Sequence, residues 1–316
     1  MDIDAYLCAT SDYIEEHYIK VLDEIETDLG INLKKSMSGG KRFRPILTIL
    51  SCQTCGGRPE NAIDFAVALE LIHNATLFHD DVLDQDEKRR GKPAMWMVAT
   101  IGRAILSGDA TFAQALNLIT KYGPKVTSIG AQTIYALCKG AVKEAINKFP
   151  SADFGDPYIE IATLKTASLF STATRLGAIS TYAPLHLEDA CGNYGKNLGM
   201  AYQLTDDYVD LKKSIITGKP IGDLRDRRVT FPLFCLYMSN ERLKRLVPQF
   251  ALGTLTFEQI LSELKNSGDG EQKCLSKINE YVIEAQKSIQ PLPDSKYKQI
   301  MLELPSFMVK KMMEEI

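Results

Sequence analysis

The stretch NAIDFAVALELIHNATLFHDDVLD, residues 61–84, decides the fold. Apolar side chains recur at Phe65, Val67, Leu69, Ile72, Ala75 and Phe78, and neither Gly nor Pro interrupts them. That spacing predicts a long helix buried on nearly every side, because a helix that is apolar all round must lie inside a core. Residues 157–180 and 188–211 read the same way. In the latter, Gly192, Gly195 and Gly199 are spaced to let a neighbouring backbone come close. Runs of strict alternation are too short to argue for a sheet. Gly and Pro gather at segment edges, as at Gly39–Gly40, Gly91–Pro93 and Gly218–Pro220, and no linker, low-complexity tract or short-period repeat divides the chain. The expectation is an all-α fold, one domain over residues 1–316, made of about ten or more helices.

Composition narrows the function. The hydrophobic fraction of 45% supports a large core, and a net charge of −3 gives no general affinity for nucleic acid. Seven scattered cysteines, odd in number, make no disulfide framework. Cys52 and Cys55, without a second ligand pair, read as helix-core thiols. The opening MDIDAYLCATSDYIEEHY is acidic where a leader would be basic and then apolar. No run approaches the roughly 18 apolar residues that span a bilayer. A cytoplasmic protein without a transmembrane segment is expected.

The long apolar helix ends in Asp80, Asp81 and Asp84, and a second D-D-x-x-D, Asp206, Asp207 and Asp210, closes another. On a helix, i and i+4 share a face, so Asp80 pairs with Asp84 and Asp206 with Asp210. Like charges so placed destabilise a helix, and the C-terminal end of the helix dipole is the unfavourable end for anions. A solvated acidic face is the plain alternative. The same electrostatic penalty incurred twice, at matching places, instead argues for a cation between the patches. Oxygen donors without cysteine or paired histidines favour Mg²⁺, which keeps waters and bridges carboxylates to phosphates.

A phosphorylated substrate needs local positive charge. GGKRFRP (39–45) supplies Lys41, Arg42 and Arg44; Arg89 and Arg90 follow the first acidic motif; Lys165, Lys219 and Arg225 through Arg228 lie on or near other segments. Neither a nucleotide-binding G-x-x-x-x-G-K-[ST] loop nor a G-x-G-x-x-G fingerprint is present. The phosphate must ride on something other than a typical nucleotide.

Six motifs in order carry a resemblance: GGKRFRP at 39–45, DDVLD at 80–84, RRGKP at 89–93, KTA at 165–167, YQLTDDYVD at 202–210 and GKP at 218–220. With them the chain resembles the trans-isoprenyl diphosphate synthases, or polyprenyl synthetases, from about Gly39 to Pro232. The resemblance implies an all-α fold around a central apolar cavity, a homodimer, and the condensation of isopentenyl diphosphate with an allylic diphosphate, releasing diphosphate. It assigns Asp80, Asp81, Asp84, Asp206, Asp207 and Asp210 to three Mg²⁺ ions. It further assigns Arg89, Lys165, Lys219 and Arg228 to the allylic diphosphate, and Lys41, Arg44, His73 and Arg90 to isopentenyl diphosphate. Thr166 and Gln203 would face the developing carbocation. Lys139, Ala141 and Glu144 stand where many members carry two acidic residues and a glutamine, and Arg227–Arg228 where Gly-Lys is common.

Other residues receive plainer readings: His79 as structural, Arg42 as outward-facing, the single Trp96 as core. Chain length should follow the helix back from Asp80. One turn, about 5.4 Å, reaches Thr76 and Ala75, which are small and let a product pass beyond fifteen carbons; Ile72 or Leu69 then forms the floor. The expectation is a C20–C30 product centred on C25. Three rivals remain at this point. An HD-type phosphohydrolase would use His73, His79 and Asp80 but leaves the second D-D-x-x-D unexplained. A terpene cyclase would share the first motif but has no need of Lys41, Arg44 and His73. A non-catalytic helical subunit could lose the acidic motifs without penalty.

Overall fold

The computed structural model describes residues 2–30, 33–146, 155–266 and 268–316. In chain order the elements are α1 (Ile3–Leu29), α2 (Leu33–Met37), α3 (Phe43–Thr54), α4 (Pro59–Leu83), β1 (Lys88–Arg89), β2 (Lys92–Pro93), α5 (Met95–Val98), α6 (Ile101–Thr120), α7 (Pro124–Ile146), α8 (Gly155–Ala162), α9 (Ser168–Ile179), α10 (Leu185–Thr217), α11 (Phe231–Ser239), α12 (Leu243–Ala251), α13 (Phe257–Lys265), α14 (Asp269–Ser288) and α15 (Lys296–Met313). A π-helical turn, Thr163–Ala167, separates α8 from α9. The fold is all-α, as expected. The short β1–β2 hairpin is the one sheet among the described residues, and no alternating run announced it.

The residues group into two compact units, each drawing on three chain segments: Met1–Tyr135, Leu169–Gly195 and Ile289–Met301 in the first; Ala136–Ser168, Lys196–Ser288 and Leu302–Ile316 in the second.

The first unit is organised by α4, which packs chiefly against α6 and α3. Pro59 occupies its first turn, where a missing N–H costs nothing, and Asn61 Oδ1 accepts from Arg58 N at 2.9 Å. Phe65, Leu69, Ile72 and Ala75 are almost wholly buried, so the all-round apolar reading of residues 61–84 holds. The helix stops because Gln85 takes a left-handed conformation, φ 56°. At Gly195 an added Cβ would stand 2.3 Å from Phe170 O, so the close backbone approach expected of that glycine is real.

In the second unit, Leu204, Tyr208 and Leu211 of α10 join a core with Leu233 and Leu236 of α11 and Ile278 of α14. Each fully buried aliphatic side chain there contributes about 1.5–3 kcal/mol. This core fixes the α10 face opposite to the one carrying Asp206.

Three sequence readings need correction. The second D-D-x-x-D does not close its helix: α10 runs on past Asp210 to Thr217, so only the first motif meets the unfavourable end of a helix dipole. Arg42 is not outward-facing: it is 4% exposed, its Nε donates to Glu15 at 2.9 Å and its Nη1 to Glu70 at 2.5 Å, and its guanidinium lies 4.7 Å over the Tyr18 ring. Burial opposes the charge, but Glu70 and Glu15 hold the guanidinium above its ordinary pKa. Its partners come from α1 and α4, distant in sequence, so nothing in GGKRFRP marks it. Trp96 is half-buried rather than core, with Nε1 donating to Asp86 O at 2.8 Å. Cys52 is buried and Cys55 half-buried on and just after α3, and both are free thiols, as expected.

Candidate active site

In the first unit, Asp80 and Asp84 are half-buried at the end of α4, while Asp81 is 2% exposed. Asp81 turns to Arg89, whose Nε donates to its Oδ1 at 2.6 Å; Arg89 also pairs with Asp86 at 3.2 Å. Burial raises the Asp81 carboxyl above the usual range, and Arg89 opposes the rise.

The hairpin explains why two arginines are adjacent. Arg90 and Gly91 form its turn with φ of 51° and 74°, a type I′ geometry that matches strand twist. Arg89 pairs across with Lys92. The neighbouring guanidiniums therefore part: Arg89 goes to Asp81 and Asp86, while Arg90 Nη1 donates to Gly39 O at 2.9 Å and Asn74 Oδ1 at 3.4 Å. A Cβ on Gly40 would stand 2.9 Å from Arg90 Nη2, so the Gly-Gly pair makes room for that side chain.

Arg44, in the first turn of α3, holds its guanidinium 4.8 Å over the Phe170 ring, and Lys41 is exposed. Burial depresses the His73 imidazole well below its ordinary pKa, and Arg44, Arg90, Arg42 and Arg89 add to the effect. The structure thus brings His73, Arg44 and Arg90 into one electrostatic neighbourhood with His73 neutral. A neutral imidazole among arginines can donate one hydrogen bond to an anion without adding charge. Of the chain-length candidates, Ala75, Ile72 and Leu69 are buried and Thr76 is half-buried, with Oγ1 donating to His73 O at 2.7 Å. His79 is structural, as read: its Nε2 meets Ile105 O at 3.1 Å, its ring packs on Phe112, and Gly108 leaves space for it. Turned toward α6, it is no partner for His73, which removes the geometry the phosphohydrolase rival needs.

In the second unit, Lys165 and Thr166 sit on the π-helical turn. Such turns insert one residue into a helix and re-aim the side chains they carry. Gly140 of α7 permits the approach, since a Cβ there would stand 2.7 Å from Lys165 Cγ and 3.1 Å from Lys165 N. Lys165 Nζ donates to Glu144 Oε2 at 2.5 Å. Arg228 Nη1 lies 3.7 Å from the same oxygen and 3.3 Å from Asp223 Oδ1.

Thr166 Oγ1 donates to Gln203 Oε1 at 2.6 Å, and Gln203 Nε2 donates to Asp207 Oδ1 at 2.8 Å. Asp207 also accepts from the buried Tyr158 hydroxyl. Burial, then the nearby Asp223, raises the Asp207 carboxyl well above its usual range. Asp206 is exposed and Asp210 half-buried, the latter raised by burial; Lys219 is exposed.

The two acidic motifs therefore divide alike. In each, the second aspartate is buried and tied internally, Asp81 to Arg89 and Asp207 to Gln203 and Tyr158, while the first and last remain accessible. Sequence reasoning missed Tyr158, Asp223 and the pairing of Glu144. Only Glu144 carried a signal, as a departure from the usual pattern. Among the described residues no three His, Cys, Asp or Glu side chains form a ready-made metal cage.

The sequence model of the family described as Polyprenyl synthetase matches residues 29–258. The chain belongs to the polyprenyl synthetase family. It is 32% identical over 272 residues to the geranylgeranyl diphosphate synthase of Mycobacterium tuberculosis, covering 82% of this chain and 76% of that protein. To the nonaprenyl diphosphate synthase of the same organism it is 31% identical over 303 residues, covering 93% and 89%. The crystal structure of a polyprenyl synthase from Caulobacter crescentus, complexed with calcium and isoprenyl diphosphate, superposes with a TM-score of 0.84 at 27% identity, covering 98% and 97%. This polyprenyl synthetase is a prenyltransferase. Its fold and activity class agree with the resemblance drawn from the six motifs. No helix among the described residues is long and apolar enough to cross a membrane.

Proposed function

We propose that the chain condenses isopentenyl diphosphate with an allylic diphosphate in a Mg²⁺-dependent reaction, acting as one domain over residues 1–316. Hard carboxylate oxygens suit Mg²⁺, which is typically held by one or two carboxylates plus substrate phosphates. Three such ions would be held by Asp80 and Asp84 and by Asp206 and Asp210, with Asp81 and Asp207 acting from behind. When bound, they neutralise the charge that builds on the departing diphosphate.

This chain's own residues do the rest. Lys165, Arg228, Lys219 and Arg89 draw the allylic diphosphate's oxygens away from carbon as the C–O bond breaks. Lys41, Arg44 and Arg90 hold the second diphosphate, with neutral His73 donating. The Thr166 hydroxyl and the Gln203 amide turn dipoles, rather than nucleophiles, toward the allylic cation. The isopentenyl double bond attacks that cation, and a proton passes to the released diphosphate. The like division of the two D-D-x-x-D motifs supports this reading best, because it leaves two solvent-accessible carboxylates per motif.

The finer reading is a homodimer, for which the exposed Met97, Val98, Ile101, Ile105 and Leu106 on α5 and α6 offer an apolar face, in the cytoplasm. The product falls between C20 and C30. The named relatives, from geranylgeranyl to nonaprenyl synthases, do not converge on a length. The test is an assay with Mg²⁺, labelled isopentenyl diphosphate and allylic primers of increasing length, products being sized after dephosphorylation. No Mg²⁺-dependent transfer of label with any primer would refute the reading.

A further inference from the structure

We propose that Glu144 is an internal competitor for the allylic diphosphate, which occupies the cations of that site until a multiply charged anion displaces it. The inference rests on the assignment of Lys165 and Arg228 to that diphosphate. One carboxylate oxygen, Glu144 Oε2, serves both cations, at 2.5 Å from Lys165 Nζ and 3.7 Å from Arg228 Nη1. The three side chains are only 24–30% exposed, so their attraction is less screened than on open surface, yet the site remains reachable.

The scaffold around them does not need the pairing. Lys165 is placed by the π-helical turn against Gly140, and Arg228 by Asp223, which accepts from its Nη1 at 3.3 Å and from its backbone N at 2.8 Å. Glu144 is thus the member free to yield. Lys165 and Arg228 both face Glu144, and Arg228 also faces Asp223. An arriving anion must replace the carboxylate contact as well as its own hydration.

Two consequences follow from that exchange. Glu144 weakens anion binding, and it does so more for anions of lower charge than diphosphate, which match less of the contact they displace. It therefore sets selectivity for diphosphate over monophosphate. Glu144→Gln keeps the shape, a donor and an acceptor while removing the charge.

The experiment is calorimetric titration of wild type and Glu144→Gln with inorganic pyrophosphate and with inorganic phosphate, at constant Mg²⁺, alongside steady-state kinetics. In Glu144→Gln, pyrophosphate should bind about tenfold tighter, phosphate should gain at least as much, and KM for the allylic diphosphate should fall without a rise in kcat. Glu144→Asp, one methylene shorter, should fall between the two and carries the test if the glutamine variant melts early. Equal or weaker pyrophosphate binding in the substituted proteins overturns the role of Glu144. Absence of pyrophosphate binding in every protein, wild type included, overturns the diphosphate site itself and the proposal with it.

Discussion

Thr166 donates to Gln203 Oε1 at 2.6 Å, which fixes the orientation of the Gln203 amide: its nitrogen must point to Asp207, where it donates at 2.8 Å. The carbonyl dipole assigned to the carbocation is therefore aimed by a hydroxyl on one side and a carboxylate on the other. Thr166→Val should free the amide to rotate and lower kcat by about tenfold or more, with a smaller change in KM, as befits a group acting mainly in the transition state. Gln203→Leu should lower it further. Steady-state kinetics with the preferred primer check both, and an unchanged kcat in Thr166→Val would mean the dipole does not matter.

The division within each D-D-x-x-D motif separates activity from stability. Asp80→Ala, Asp84→Ala and Asp206→Ala should reduce activity by about a hundredfold or more, the scale on which one preorganised charge-stabilising group acts. Thermal stability should change little in Asp80→Ala and Asp84→Ala, because each also removes a carboxylate from the unfavourable C-terminal end of α4. Asp207→Ala should lose stability as well, by about 1–3 kcal/mol, since it strands the buried Tyr158 hydroxyl and the Gln203 amide. Denaturation midpoints measured beside activities decide it.

Arg42 should behave unlike Lys41 and Arg44. Arg42→Ala leaves the buried Glu70 without its guanidinium partner and should cost about 3–5 kcal/mol of stability, the scale for breaking a buried ion pair. Lys41→Ala, at an exposed position, should leave stability nearly unchanged and raise KM for isopentenyl diphosphate. Chemical denaturation distinguishes the two.

His73 gives a pH signature. Its pKa is depressed in the folded state, so below the ordinary imidazole value near 6.5 the unfolded chain takes up a proton that the folded chain refuses. Stability attributable to His73 is therefore complete above about pH 6.5 and declines as pH falls, with a slope of up to about 1.4 kcal/mol per pH unit. Melting curves from pH 7.5 to 5.5 should show a shallower decline in His73→Asn than in wild type; parallel curves would place the proton uptake elsewhere.

Product length should respond to the buried face of α4. Ala75 is wholly buried one turn before Asp80, so Ala75→Phe should shorten the main product by at least one five-carbon unit. An unchanged distribution would move the floor away from Ala75, Ile72 and Leu69.

The helical architecture was legible because apolar spacing and the absence of Gly and Pro agree across residues 61–84. The motifs located the charged residues for the same reason, since carboxylates and arginines in apolar company are costly without a task. What stayed hidden was partnership. Arg42 looked like Lys41 and Arg44 until Glu15 and Glu70, from two other helices, were seen around it. The π-helical turn leaves no trace in KTA itself, because a one-residue insertion preserves composition and nearly preserves period. Tyr158 reads as ordinary core until its hydroxyl is found on Asp207.

The hairpin at Lys88–Pro93 sorts its two arginines by backbone conformation. Arg89 is extended on β1 and Arg90 is left-handed in the turn, and that change of conformation between neighbours sends their side chains different ways. Lengthening or shortening that turn by a single residue would remove the conformation that carries the Arg90 guanidinium to Gly39 and Asn74 while leaving both arginines in the chain. Insertions and deletions there should thus be harsher than any point substitution, and a library built to retune this enzyme should vary the letters of that ribbon and never its count.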